Sequence, residues 1–199
     1  MNKFYRTLYK LLSRLIRFLY RIEIRGAENE VSEGPVLVCI NHTALTDVFV
    51  TAVCLHRQLH FMAKAELFKI PVLRSLIGAL GAFPVKRGTG DVHAIKKTLS
   101  ILGEGKTVAM FPQGTRCPGV HPSETEPKSG AGLIAYRSQC TVQPIGISTK
   151  RRKLGMFRRT VVTIGRPIPF EELHMTSGTP DEYQRAAAQI FSAICDIVE

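Results

Sequence analysis

The chain is short of the features that settle a class at once. Its 199 residues include only five cysteines (Cys39, Cys54, Cys117, Cys140 and Cys195), and none forms a CxxC pair. Zinc and redox motifs are therefore unsupported, and scattered thiols fit a reducing cytosol. The longest stretch without a charged side chain, Gly34–Thr46, is 13 residues, against the roughly 20 that a membrane-spanning helix needs. No transmembrane helix is expected. No cleavable leader is expected either, because cations interrupt the N-terminal apolar residues throughout. Internal repeats and low-complexity tracts are absent.

Acid is also scarce. Lys and Arg number 27 and Asp and Glu 16, a net charge of +11, and residues 1–25 hold seven basic groups with Glu23 as their sole acid. Such a balance points to an anionic surface, lipid or nucleic acid, or simply to a basic soluble protein. The second basic cluster (Lys150, Arg151, Arg152, Lys153, Arg158 and Arg159) lies between two strand-like runs. No series of stacking aromatics interleaves it, as single-strand binding would favour, so no nucleic-acid partner is expected. The loop reads as a solvated hairpin tip, or as a contact for a membrane or a carrier protein.

What is present begins with a helix. On a wheel of residues 3–22, Lys3, Arg6, Lys10, Arg14, Arg17 and Arg21 recur every three or four positions and form one stripe. Aromatic and aliphatic residues fill the rest, over a face wider than the roughly 100° a core-facing helix uses. A helix packed on the core with a solvated basic edge would also give this wheel. A surface helix, however, normally mixes Glu with Lys for i,i+4 pairing. An all-cationic stripe beside an aromatic-rich face marks a membrane-interface helix, each cation near an anionic leaflet contributing about 1 kcal/mol. Residues 1–25 are expected to form this interface segment and 26–199 one folded domain. The placement expected is peripheral, on the cytoplasmic face of the cell membrane.

Strand-like runs alternating with helical stretches predict an α/β fold. Two strings stand at the ends of apolar runs, where α/β proteins tend to build sites. Asn41-His42-Thr43-Ala44-Leu45-Thr46-Asp47 follows Val36–Ile40, and Phe111-Pro112-Gln113-Gly114-Thr115-Arg116 follows Thr107–Met110. A helix starting near Thr43 would turn Asp47 back onto His42. A carboxylate on one imidazole nitrogen fixes the tautomer and leaves the other nitrogen to take a proton. Alone, this spacing equally fits a structural histidine. Arg116, and Arg87 at the end of Gly81–Arg87, offer planar forks suited to phosphate, although a lone strand-end Arg is often a surface ion pair. Together these groups suit acyl transfer onto a phosphorylated alcohol.

The strings resemble the glycerolipid acyltransferase family, typified by 1-acylglycerol-3-phosphate acyltransferase. Asn41, His42 and Asp47 match its Asn-His-x4-Asp block, and Gly81 and Arg87 its Gly-x5-Arg block. Phe111, Pro112, Gly114, Thr115 and Arg116 match its Phe-Pro-Glu-Gly-Thr-Arg block. Val142, Pro144 and Ile145 match its Val-x-Pro-Ile strand, and Lys128 and Gly130 an intervening Lys-x-Gly element. The blocks come in the family's order over residues 36–147. One position departs: Gln113 stands where the family usually carries Glu.

The resemblance implies a single mixed sheet flanked by helices. It also implies direct transfer from an acyl-CoA or acyl-carrier-protein thioester to a lysophospholipid hydroxyl, most simply that of 1-acyl-glycerol-3-phosphate. His42 would be the base and Asp47 its support. Arg87, Gln113, Gly114, Thr115, Arg116 and Lys128 would surround the acceptor's polar group, with no cofactor and no metal. Backbone N–H groups near Gly114 are one candidate for the oxyanion. Leu67, Phe68, Leu73, Leu76, Ile77 and Leu80 would line an acyl tunnel or, equally, belong to the core. The alternatives are a non-catalytic lipid-binding module of the same fold, suggested by Gln113, and an acyltransferase for a different lyso-acceptor. His56 and His60, four residues apart, have no evident third metal ligand, and Cys39 reads as core rather than nucleophile.

Overall fold

The computed structural model describes residues 3–85 and 91–199. Seven strands form one sheet: β1 (Ile22–Arg25), β2 (Val36–Ile40), β3 (Leu59–Lys64), β4 (Phe83–Val85), β5 (Thr107–Met110), β6 (Thr141–Thr149) and β7 (Thr160–Ile164). Their order is β1-β7-β6-β2-β5-β3-β4. Every pairing is parallel except β6 with β7. The expected single mixed sheet is present, and the basic loop is the connection of its one antiparallel pair.

β2 reads as an unbroken apolar run because it is buried on both faces, as central parallel strands are. Its side chains alternate between two cores. Leu37 and Cys39 join Val108, Val142 and the apolar faces of α4 (Val92–Gly103), α5 (Gly130–Ser138) and α6 (Pro180–Cys195). Val36, Val38 and Ile40 join Ala109, Val50 and Val53 on the other side. That second layer carries α2 (Asp47–Ala52), and Ile16 of α1 (Lys3–Leu19) packs on it, while α3 (Pro71–Ala79) falls between β3 and β4 in the chain. The α5–α6 contact is close: a Cβ on Gly132 would lie 2.1 Å from the Tyr183 carbonyl oxygen. Glycine at 132 is thus required by the packing of the two helices.

α1 departs from the wheel in one respect. Its inner edge is polar: the Tyr9 hydroxyl and the Arg17 guanidinium both donate to the Val53 carbonyl oxygen, Arg17 through Nη2 at 2.6 Å and Nε at 3.0 Å. Arg17 is therefore spent on the domain and is not part of an outward cationic stripe. Arg14 and Arg21 are exposed, and so are the apolar Leu12, Leu15 and Phe18. The side chains of Lys3, Arg6 and Lys10 lie outside the described residues. Among the described residues no helix is long and apolar enough to cross a membrane.

Candidate active site

The site follows from the register of β2 and β5. The two strands are parallel neighbours with Cys39 opposite Met110, so Asn41-His42 and Phe111-Pro112 emerge side by side at one rim. From there the chain leaves β2 toward β3 and leaves β5 toward β6, in opposite directions along the sheet. Such reversals open the crevice in which α/β proteins bind ligands.

Asn41 extends the sheet with its side chain. Its Nδ2 donates to the Ile147 carbonyl oxygen at 3.0 Å, and its Oδ1 accepts the Ile147 N–H at 2.7 Å. A side-chain amide carries both functions in one plane. His42, next along, is buried. Its Nδ1 lies 2.8 Å from Asp47 Oδ2 and must donate, because a carboxylate only accepts. Its ring stacks on Phe111, with centroids 3.8 Å apart and planes 14° from parallel.

Asp47 is fully buried and satisfied by four donors. Besides His42, Oδ2 takes the N–H groups of Thr43 at 2.6 Å and Ala44 at 2.8 Å, and Oδ1 takes the Thr43 hydroxyl at 3.0 Å. The helix thus begins at Asp47 and not near Thr43. The Asp47 side chain organises residues 43 and 44 as a loop and holds them under the imidazole.

The Phe111–Arg116 turn is latched to the same histidine. The Gln113 side-chain oxygen accepts the His42 N–H at 2.7 Å, and the Cys117 N–H donates to the His42 carbonyl at 2.8 Å. Gln113 is buried. Its Nε2 donates to Thr125 Oγ1 at 2.9 Å, and that hydroxyl donates to the Pro122 carbonyl at 2.7 Å. Holding His42 needs only an acceptor oxygen, which Gln and Glu both supply. Gln113→Glu is expected to leave acyl transfer within a few-fold, the Thr125 hydroxyl turning to the carboxylate. Gln113→Ala strands the buried His42 N–H, at about 1–3 kcal/mol. Melting temperatures and initial rates of the two variants check this.

Gly114 has a φ of +68°, and a Cβ there would sit 3.1 Å from Lys128 Cδ. The glycine thus both makes the turn and lets Lys128 lie over it, while the Lys128 N–H donates to the Pro112 carbonyl at 2.9 Å. The Gly114 N–H itself donates to the Phe111 carbonyl at 3.0 Å. It is committed to the turn, so it is a poor oxyanion donor. Thr115 and Arg116 are exposed at the rim.

His42 and Arg116 stand on the wall of a cavity of about 570 Å³, in the ordinary range for ligand sites. The rest of the wall is almost wholly apolar. Leu67, Ile77 and Leu80 line it as expected, whereas Phe68 is not part of it. The side chains of Leu73 and Leu76, and Arg87 entirely, lie outside the described residues. The wheel and motif reading missed the opposite wall, which includes Leu12 and Ile16 from α1 and Phe49 from α2. Their apolar spacing was the available signal.

The other candidates have structural partners. His56 Nδ1 lies 2.8 Å from Glu30 Oε2, and His60 Nδ1 lies 2.9 Å from the Thr107 carbonyl oxygen. Burial pushes the His60 pKa down. Burial also pushes the Cys39 thiol far above its ordinary range, which keeps it protonated and inert.

The pattern of motifs has a counterpart among known proteins. A profile of the Acyltransferase family matches residues 21–148. The chain belongs to that family. It is 30% identical over 151 residues to the 1-acyl-sn-glycerol-3-phosphate acyltransferase of Bacillus subtilis, covering 74% of this chain and 73% of the other. It is 29% identical over 148 residues to the chloroplastic enzyme of that name from Arabidopsis thaliana, covering 72% of this chain but 41% of the other. A lyso-ornithine lipid O-acyltransferase of Pseudomonas aeruginosa is 29% identical over 142 residues, covering 70% and 52%. The crystal structure of the 1-acyl-sn-glycerophosphate acyltransferase PlsC of Thermotoga maritima superposes with a TM-score of 0.69 at 19% identity, covering 99% of this chain and 84% of that one. That likeness establishes the shared fold.

Proposed function

We propose that this acyltransferase-family chain moves an acyl group from a thioester, acyl-CoA or acyl-carrier protein, onto the free hydroxyl of 1-acyl-glycerol-3-phosphate, giving phosphatidate. The observation that carries this reading is the buried His42–Asp47 pair at the wall of an apolar cavity whose rim bears Arg116. His42 Nε2 takes the hydroxyl proton as the acceptor oxygen attacks the thioester carbonyl. Asp47 stabilises the imidazolium and remains a carboxylate. The tetrahedral intermediate collapses, the C–S bond breaks, and the thiolate leaves with the proton from His42. Arg116 and Lys128 hold the phosphate, joined by Arg87 on the sequence pattern. The cavity takes the fatty chain. Gly114 and Thr115 shape the turn that presents these cations.

The site works at a membrane. Outward-facing Leu15 and Phe18, flanked by Arg14 and Arg21, lay α1 in the interface of an anionic leaflet on the cytoplasmic side. The acceptor is a lipid, and the donor comes from the aqueous side. Acyl transfer to lysophosphatidate, measured with acyl-CoA and with acyl-carrier protein, tests the assignment. Transfer to lysophosphatidate at a rate above that to phosphate-free lyso-ornithine lipid is expected. The reverse preference would overturn the acceptor, and no transfer to any lysolipid would leave a non-catalytic lipid-binding module.

A further inference from the structure

The loop between β6 and β7 is unused by the reaction as derived, and its surface is unusual. Met156 and Phe157 at its tip are 61% and 59% exposed, an apolar pair set out from the domain in a loop that also carries six cations and no acid. The tip is joined to α1. The Phe157 N–H donates to the carbonyl of Leu19, the last residue of that helix. The Phe157 ring meets the 70%-exposed Phe18 edge to face, with centroids 6.5 Å apart. Leu154, two residues before Met156, packs inward on the core beneath, so the exposure of the tip is not slack in the loop.

The backbone is constrained to hold this shape. Arg151, Arg152 and Phe157 have φ of 61°, 50° and 60°, left-handed values that side chains of this size rarely adopt. Strain retained at an exposed apolar tip points to a use for the tip. A cavity of about 1140 Å³ adjoins these cations; Lys150, Arg151, Lys153 and Arg158 line it together with one acid, Glu199, which is paired with Arg25. Arg159 pairs with Glu23 at 2.6 Å, and Arg152 lies 4.0 Å from Glu124. Among the described residues the four other cations have no acidic partner.

We propose that this loop is a second membrane-insertion element, with Met156 and Phe157 entering the interface beside Phe18. Lys150, Arg151, Lys153 and Arg158 then meet the phosphates of anionic lipids. The proposal rests on the peripheral placement argued for α1 and extends it to a separate segment about 140 residues further along the chain. An aromatic–aliphatic tip ringed by cations suits the bilayer interface, where rings sit at headgroup level and cations meet anionic lipid. An acidic carrier protein would be served by the cations alone and would leave two large apolar side chains without a role.

The chain contains no tryptophan, so Phe157→Trp and Leu15→Trp each yield a full-length protein with a single indole. On vesicles of equimolar phosphatidylglycerol and phosphatidylcholine, the indole at 157 is expected to shift its emission to the blue and to be quenched by brominated acyl chains. The double variant Met156→Ser, Phe157→Ser is expected to bind these vesicles at least about tenfold more weakly. A shift for Leu15→Trp without one for Phe157→Trp overturns the loop's role and leaves that of α1 standing. A shift for Phe157→Trp alone sustains the loop and removes α1. Silence in both overturns both. A Phe157→Trp response to holo-acyl-carrier protein but not to vesicles overturns the proposal in favour of a protein-docking loop.

Discussion

Replacing His42 by alanine is expected to lower the rate of acyl transfer by about 10²–10⁴-fold, the usual contribution of a positioned general base. The effect should fall on kcat, because the apolar cavity and the rim cations proposed to hold the substrates are untouched. It should also be specific. The alanine retains the backbone N–H and carbonyl by which His42 is latched to Gln113 and Cys117. What it loses in packing is the stack on Phe111, so the fold should survive. Release of free thiol from acyl-CoA in the presence of lysophosphatidate, followed beside a thermal melt, measures both. Turnover at the wild-type rate in a folded His42→Ala protein would remove the imidazole from the mechanism.

Asp47 should be costlier for the molecule as a whole. Asp47→Ala removes the buried acceptor for the N–H groups of Thr43 and Ala44 and for the Thr43 hydroxyl. At about 1–3 kcal/mol for each of these three donors left unsatisfied, a loss of at least about 3 kcal/mol is expected. For a chain of this length that lowers the melting temperature by about 10 °C. Asp47→Asn separates this from chemistry. The amide keeps one acceptor oxygen and most of the shape, but it cannot balance an imidazolium and can turn an N–H toward Nδ1. Its melting temperature should drop less than that of the alanine variant, while its rate falls about 10²–10⁴-fold. An asparagine variant with wild-type kcat would reduce Asp47 to a structural role.

Much of the fold was legible because central parallel strands betray themselves. Val36–Ile40 and Thr107–Met110 are uninterrupted apolar runs, and the strand ends they marked are the ends observed, to within a residue. Their adjacency was not legible, since register depends on which strands pair and not on the content of either. The antiparallel connection into β7 was legible by contrast, because the basic loop between two strand-like runs reads as a hairpin tip. The start of α2 was misplaced by four residues because the signal that delays it is Asp47 itself, a side chain bonding backward to residues 43 and 44. The helical wheel gave the angles of α1 correctly but not which side the domain occupies, so Arg17 was grouped with outward cations. Gln113 drew notice as a departure in charge. Its contacts depend on an oxygen and an amide, which the one-letter pattern does not express.

α1 carries a final consequence. The helix is at once outer coat and inner wall: Leu12 and Ile16 close the cavity, while the hydrogen bonds of Tyr9 and Arg17 to one carbonyl oxygen clasp the helix to α2's end. Loosening that clasp leaves the imidazole–carboxylate pair intact and opens the apolar cavity, the slot proposed for the fatty chain, to water. Damage there would show as blurred discrimination between long and short chains, with proton transfer itself unimpaired.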